Sequence, residues 1–246
     1  MAVRTTVVLL SALACVGSAY AGFPSFGAGC QRADFASETG KVRAELCDTS
    51  NMSAAVVVLH GCGGFSTFDH RIVVTLPRFG ISTLDVDYFQ PTPPAGRHGF
   101  CNAHGRLSDA FTTWVTEARD AAHSLRRRGY RHVGVVGWSL GGAVAVASAA
   151  SPPSTRLFQA VAGFSTGSYD AASFAGDLPP TILLSGGRTD AIPLGETLPL
   201  YQALQRAHIQ AALYVYPNGS HDWPGRQGTF GIARAAAFLC RYLRCA

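Results

Sequence analysis

Six short, continuous apolar runs constrain this chain more than any other feature: AAVVVLH (54–60), ISTLDVD (81–87), HVGVVG (132–137), FQAVAG (158–163), TILLSG (181–186) and AALYVYP (211–217). A strand made from such a run has no polar face, so something must cover it on both sides. Four stretches with helical patterning supply the cover: 106–128, 142–150, 196–207 and 231–243. The first opens near a Ser/Asp cap and ends at Gly129, and the second stops at Pro152–Pro153. Strands alternating with helices imply an α/β protein, with a mostly parallel central sheet flanked by helices and right-handed crossovers. KVRAEL (41–46) alternates like one further strand, and residues 22–40 read as glycine-rich and irregular. With no repeat or interdomain linker, residues 22–246 read as a single domain.

Before that domain, MAVRTTVVLLSALACVGSAYAG carries one basic residue, Arg4, then an apolar stretch too short to span a bilayer, then Ala19-Tyr20-Ala21. This is the pattern of a secretory signal peptide, residues 1–21, cleaved after Ala21. It implies a secreted or periplasmic protein with no stable membrane insertion after cleavage. Removal takes one of 20 basic residues and none of the 15 acidic ones, leaving a mild net charge of +4. Arg126–Arg128 form the single basic run, at a helix end where cations suit the dipole. Interleaved aromatics are missing there, so nucleic acid is not an expected partner. Six cysteines remain, an even number that suits disulfides in an exported chain. There is no CxxC and no paired Cys/His spacing of a zinc site, so neither a metal nor another cofactor is expected.

In sheets of this kind, function gathers at the carboxyl ends of strands. HVGVVG runs into Gly137-Trp-Ser139-Leu-Gly141 and then an Ala/Val helix. A G-x-S-x-G between strand and helix is a nucleophile elbow, and its glycines leave room for the sharp turn. Gly163-Phe-Ser165-Thr-Gly167 spells the same motif, but the sequence after it has no helical face. A serine needs a base and the base an orienting acid, in the chain order Ser, acid, His. TILLSG leads to Asp190, and AALYVYP leads to His221, in that order and at the same sheet edge. Asp85 and Asp87 precede the serine and read as structural strand-end groups. Two backbone N–H groups should hold the oxyanion: that of Leu140, after the nucleophile, and that of Cys62, in the glycine loop LHGCGGF (59–65). His60 reads as a structural residue ending its strand.

HGCGGF, DVDYF, GWSLGGAVA, GGRTDAIP and NGSHDW resemble the dienelactone hydrolase family of the α/β-hydrolase fold, over about residues 54–243. Matched position by position, the resemblance implies Ser139 as nucleophile, Asp190 as acid and His221 as base. The enzymes that name the family carry cysteine in a G-x-C-x-G elbow. Serine here points away from a dienelactone and toward carboxylesterase chemistry on a small-molecule or polymeric ester. A polyester or cutin depolymerase uses the same triad, and a non-catalytic binding protein could retain the fold. Spacings between strands, 164–180 in particular, leave no room for a large cap domain. Phe65, Trp138, Phe164 and Trp223 lie near strand ends and are candidates to line an acyl pocket. Loop proximity pairs Cys62 with Cys101, and elimination then gives Cys30–Cys47 and Cys240–Cys245. The first exported residue should be Gly22, read by intact mass and N-terminal sequencing; an exported chain retaining residues 1–21 would overturn the cleavage site.

Overall fold

β5 (Ala54–Leu59) is buried at all six positions because its residues alternate between two apolar layers. Ala55, Val57 and Leu59 face one core, and Ala54, Val56 and Val58 face the other. The computed structural model describes residues 29–49, 52–89, 100–101, 107–167, 173–192 and 194–245; the expected signal segment 1–21 lies outside them. Around β5 stand β6 (Ser82–Val86), β7 (His132–Trp138), β8 (Val161–Phe164), β9 (Thr181–Ser185) and β10 (Ala211–Val215), all mutually parallel. β4 (Ala44–Cys47) joins antiparallel to β6, and β1 (Cys30–Arg32) antiparallel to β4. The eight-stranded order is β1-β4-β6-β5-β7-β8-β9-β10. One layer of helices holds α2 (Leu107–Arg127), α3 (Leu140–Ala149) and α4 (Leu194–Arg206); the other holds α1 (Thr67–Thr75) and α5 (Gly225–Leu243). No helix among the described residues is long and apolar enough to cross a membrane.

The deviations from expectation are at the margins of this sheet. Residues 22–40 are not uniformly irregular: β1 lies there, and β2 (Phe35–Ser37) pairs with β3 (Gly40–Val42) in a separate hairpin. The 41–46 run is likewise divided between β3 and β4. These strands are three or four residues long, too short to show a period, and pairing rather than propensity makes them. Cys30 stands opposite Cys47 in register, and a disulfide joins the two. α1 has no strong apolar stripe in sequence. It begins with a reciprocal cap in which Ser66 N–H donates to Asp69 (2.9 Å) while Phe68 N–H and Asp69 N–H donate to Ser66 Oγ. α5 starts at Gly225, six residues before its apolar pattern. Arg71 of α1 anchors that first turn by donating to the carbonyls of Trp223 and Gly225, at 2.9 and 2.8 Å.

Near the end of β6 the sheet buries several acids. Asp85 and Asp87 occupy structural positions there, and Asp87 pairs with Arg43. Burial pushes the Asp85 carboxyl well above the usual range, helped by Asp69, Glu45 and Asp87 nearby. Glu117 of α2 is pushed up to about 8, mainly by burial and secondarily by Asp87 and Asp120, against a hydrogen bond from Thr39. A carboxyl with a raised native value keeps its proton when folded while the unfolded chain ionises. Stability is therefore lost as pH rises from about 4.5 toward 8. Glu117→Gln, which retains an acceptor for Thr39, should gain about 1–2 kcal/mol over wild type between pH 5 and 8. Thermal melts across that range check it; a pH-independent difference would refute it.

Candidate active site

Three strand ends build the site. Ser139 occupies the turn between β7 and α3 with φ 57° and ψ −120°, a conformation that costs a non-glycine residue about 1–3 kcal/mol. The surroundings enforce it. Ser139 N–H donates to Phe164 O (2.9 Å), and Gly142 N–H donates to Ser139 O (3.0 Å). A Cβ at Gly137 would fall 2.1 Å from Gly141 O, and one at Gly141 would fall 2.2 Å from Leu59 O. The G-x-S-x-G glycines are thus required by backbone contact, and the turn projects Ser139 over the sheet edge at the N-terminus of α3.

Asp190 and His221 come from the loops after β9 and β10. His221 Nε2 lies 3.0 Å from Ser139 Oγ, and His221 Nδ1 lies 2.7 Å from Asp190 Oδ1. An ionised carboxylate can only accept, so Nδ1 carries the hydrogen and Nε2 accepts from the serine hydroxyl. Asp190 takes three more bonds: from Ile192 N–H to Oδ1 (2.9 Å), and from Gly186 N–H (2.8 Å) and Ser165 Oγ (2.6 Å) to Oδ2. Burial works to raise its pKa, but the bonds from His221, Ser165 and Ile192 outweigh it and hold the carboxyl below its ordinary value. Trp138 Nε1–H donates to His221 O (2.8 Å), bracing the His221 backbone from the side of β7.

LHGCGGF forms a tight turn after β5, closed by Gly64 N–H to Gly61 O at 3.1 Å. Cys62 is bonded to Cys101, and Phe100 N–H donates to Cys62 O at 2.7 Å. Cys240 is bonded to Cys245 at the end of α5. The Trp138 ring covers Gly61 so closely that a Cβ there would meet it at 2.8 Å. His60 is fully buried and stacks on Tyr88, whose hydroxyl donates to His60 O (2.7 Å). The turn is therefore fixed by backbone hydrogen bonds, the half-buried disulfide and the Trp138 and His60 rings.

The four candidate pocket aromatics divide. Trp138 keeps partial exposure beside the His221 ring, at 5.3 Å, and Phe65 packs edge-on to His60. Phe164 and Trp223 are 0 % exposed, so they do not line an open pocket. Both are drawn into the core with Phe68, which their rings meet at 5.2 and 5.9 Å. Trp223 also has a polar contact that the sequence does not announce: its Nε1–H donates to Ser165 Oγ at 2.9 Å. The signal for Ser165 was the second G-x-S-x-G, placed by its strand at the same sheet edge.

A family model described as the dienelactone hydrolase family matches residues 42–239. The chain belongs to the dienelactone hydrolase family. Solved structures place this family member on the α/β-hydrolase fold. A dienelactone hydrolase from Anabaena variabilis superposes with a TM-score of 0.71 at 22% identity, covering 88% of this chain and 100% of that one. An esterase from Pyrobaculum calidifontis gives 0.69 at 16% identity over 88% and 86% of the two chains. One from Pyrococcus furiosus gives 0.67 at 14% over 87% and 93%. No curated protein matches significantly. At these identities the structures establish the fold, and family membership makes the chain a hydrolase.

The glycine requirement of the dienelactone-hydrolase elbow is testable. Gly141→Ala sets a Cβ against two backbone carbonyls, Leu59 O and His60 O, which cannot rotate away. It should cost about 2–3 kcal/mol or prevent folding. Gly176→Ala, where nothing lies within 4 Å of a new Cβ, should be neutral. Equal melting temperatures for both variants would refute the packing argument.

Proposed function

We propose that the protein is an exported serine esterase that cleaves carboxylic esters through an acyl-enzyme. The observation that carries the reading is the continuous hydrogen-bond chain from Ser139 Oγ through His221 to Asp190, at 3.0 and 2.7 Å. In the cycle, His221 Nε2 takes the hydroxyl proton as Ser139 attacks the ester carbonyl. The N–H groups of Cys62 and Leu140 receive the oxyanion, each lowering the barrier by about 3–4 kcal/mol. His221 then gives its proton to the leaving alcohol, and water repeats the sequence to release the acid. No step requires a cofactor.

Serine at position 139 supports ester cleavage over the lactone chemistry of the cysteine enzymes. The cleavage signal at Ala19–Ala21 and the three disulfides support export, since such bonds persist in oxidising compartments. The described residues between β8 and β9 hold only a short turn, Ala175–Asp177, which supports an uncapped site and accessible, short-chain substrates.

A fluorophosphonate should label Ser139 in the wild-type protein, and p-nitrophenyl esters of rising chain length should show best turnover at the short end. Ser139→Ala should lose label and at least about a thousandfold in kcat while keeping its melting temperature. Unchanged turnover in that variant would exclude Ser139 as nucleophile, and an unlabelled wild-type protein would favour a binding role.

A further inference from the structure

Ser165 repeats the motif of the elbow without being one. It directly follows β8 with φ 47°, a left-handed conformation that glycine would adopt without strain, and its side chain is fully buried. A buried serine at such a position is costly unless its hydroxyl is used. The hydroxyl contacts two groups, Asp190 Oδ2 at 2.6 Å and Trp223 Nε1 at 2.9 Å. An indole N–H can only donate and a carboxylate can only accept. The single hydroxyl hydrogen must therefore point at Asp190, while its oxygen accepts from Trp223.

We propose that Ser165 is a positioning residue for Asp190, and that Trp223 fixes the direction in which its hydroxyl donates. The inference rests on the esterase reading above. It follows from how the carboxylate is held. Oδ1 faces His221 and Ile192 N–H, and Oδ2 faces Gly186 N–H and Ser165. The donors of Ile192 and Gly186 belong to the acid's own loop. Ser165 supplies the donor that ties the carboxylate to another strand. Trp223 stands two residues beyond His221, so Trp223, Ser165, Asp190 and His221 form a closed ring through the loop backbone. The ring sets the distance between acid and base independently of either loop alone. Other charged residues in and next to these loops are Arg188, whose backbone N–H donates to Pro217 O, Asp222 and Arg226; Arg71 of α1 is engaged with the Trp223 and Gly225 carbonyls.

Removing the hydroxyl withdraws one of the bonds that hold the Asp190 carboxyl below its ordinary value, and it frees the carboxylate to turn away from His221. The first effect lets the carboxyl hold its proton to higher pH and extends inactivation upward; the second leaves His221 less firmly aimed at Ser139 Oγ and lowers kcat. In Ser165→Ala, kcat should fall about tenfold with KM unchanged. The acid limb of kcat/KM should move up by about half a pH unit. Ser165→Gly accepts the positive φ and removes the same hydroxyl, so it should reproduce both changes where alanine does not fold. Trp223→Phe leaves Ser165 in place but unaligned, and should move the limb in the same direction by less. Rates are normalised to sites titrated with fluorophosphonate. A limb at the wild-type position, with wild-type kcat per labelled site, would show a merely structural serine and overturn the inference while leaving the esterase reading intact. A wild-type protein that takes no label would overturn both.

Discussion

A carboxylate with no exposed side-chain surface must find inside the protein the donors that water would otherwise supply, and Asp190 finds four. That requirement organises the whole sheet edge. The Asp190 loop folds back so that Ile192 and Gly186 can donate to it. Gly186 must lack a side chain, because a Cβ there would lie 2.1 Å from Asp190 Oδ2. β8 contributes Ser165, β10 leads to His221, and the elbow contributes Ser139. Trp138 and the elbow backbone hold His221 and Ser139 in place from their own side, but the direction of the His221 ring depends on the Asp190 carboxylate that faces its Nδ1.

The same sheet explains why polar chemistry collects there. Strands buried on both faces have no lateral outlet for a polar side chain, so such groups lie at strand ends. One strand differs. β6 keeps Asp85, 0 % exposed, within its span, and its carboxyl is correspondingly hard to ionise. Asp87, just past the same strand, is subject to a like burial penalty. The His60 imidazole, 3.9 Å away, and the Arg43 ion pair outweigh that penalty and hold the group below its ordinary value. Neighbouring acids thus take opposite protonation tendencies from their partners alone, as Asp190 does at the site.

Much of this could be read in the sequence, for physical reasons that also mark what could not. The six apolar runs are strands because continuous β-branched segments leave few alternatives, and each of the six holds one. The chain order Ser139, Asp190, His221 was legible because parallel strands deliver successive loops to one edge. β1, β2 and α1 were not, since three-residue edge strands and a helix started by the Ser66–Asp69 cap carry no periodicity. The aromatics were the harder case. Trp138, Phe164 and Trp223 all sit at strand ends, and one-dimensional position does not distinguish a ring beside the site from one folded beneath it. The second G-x-S-x-G is followed in sequence by no helical face, and no pattern in the chain announces that the Ser165 hydroxyl is buried against Asp190.

The glycine loop after β5 is held through one cysteine twice, by its sulfur and by its backbone carbonyl. The bond to Cys101 and the Phe100 N–H to Cys62 O bond hold the turn from outside, while Tyr88 and His60 hold it from beneath. A backbone donor is useful to an oxyanion only if it is already aimed, because reorganisation during the reaction would consume the stabilisation it offers. Serine at position 139 fits the same arrangement. In an oxidising compartment, a reactive thiolate at the elbow would be open to oxidation and to exchange with nearby disulfides. A serine hydroxyl is open to neither, and the six cysteines among the described residues are all paired as tethers.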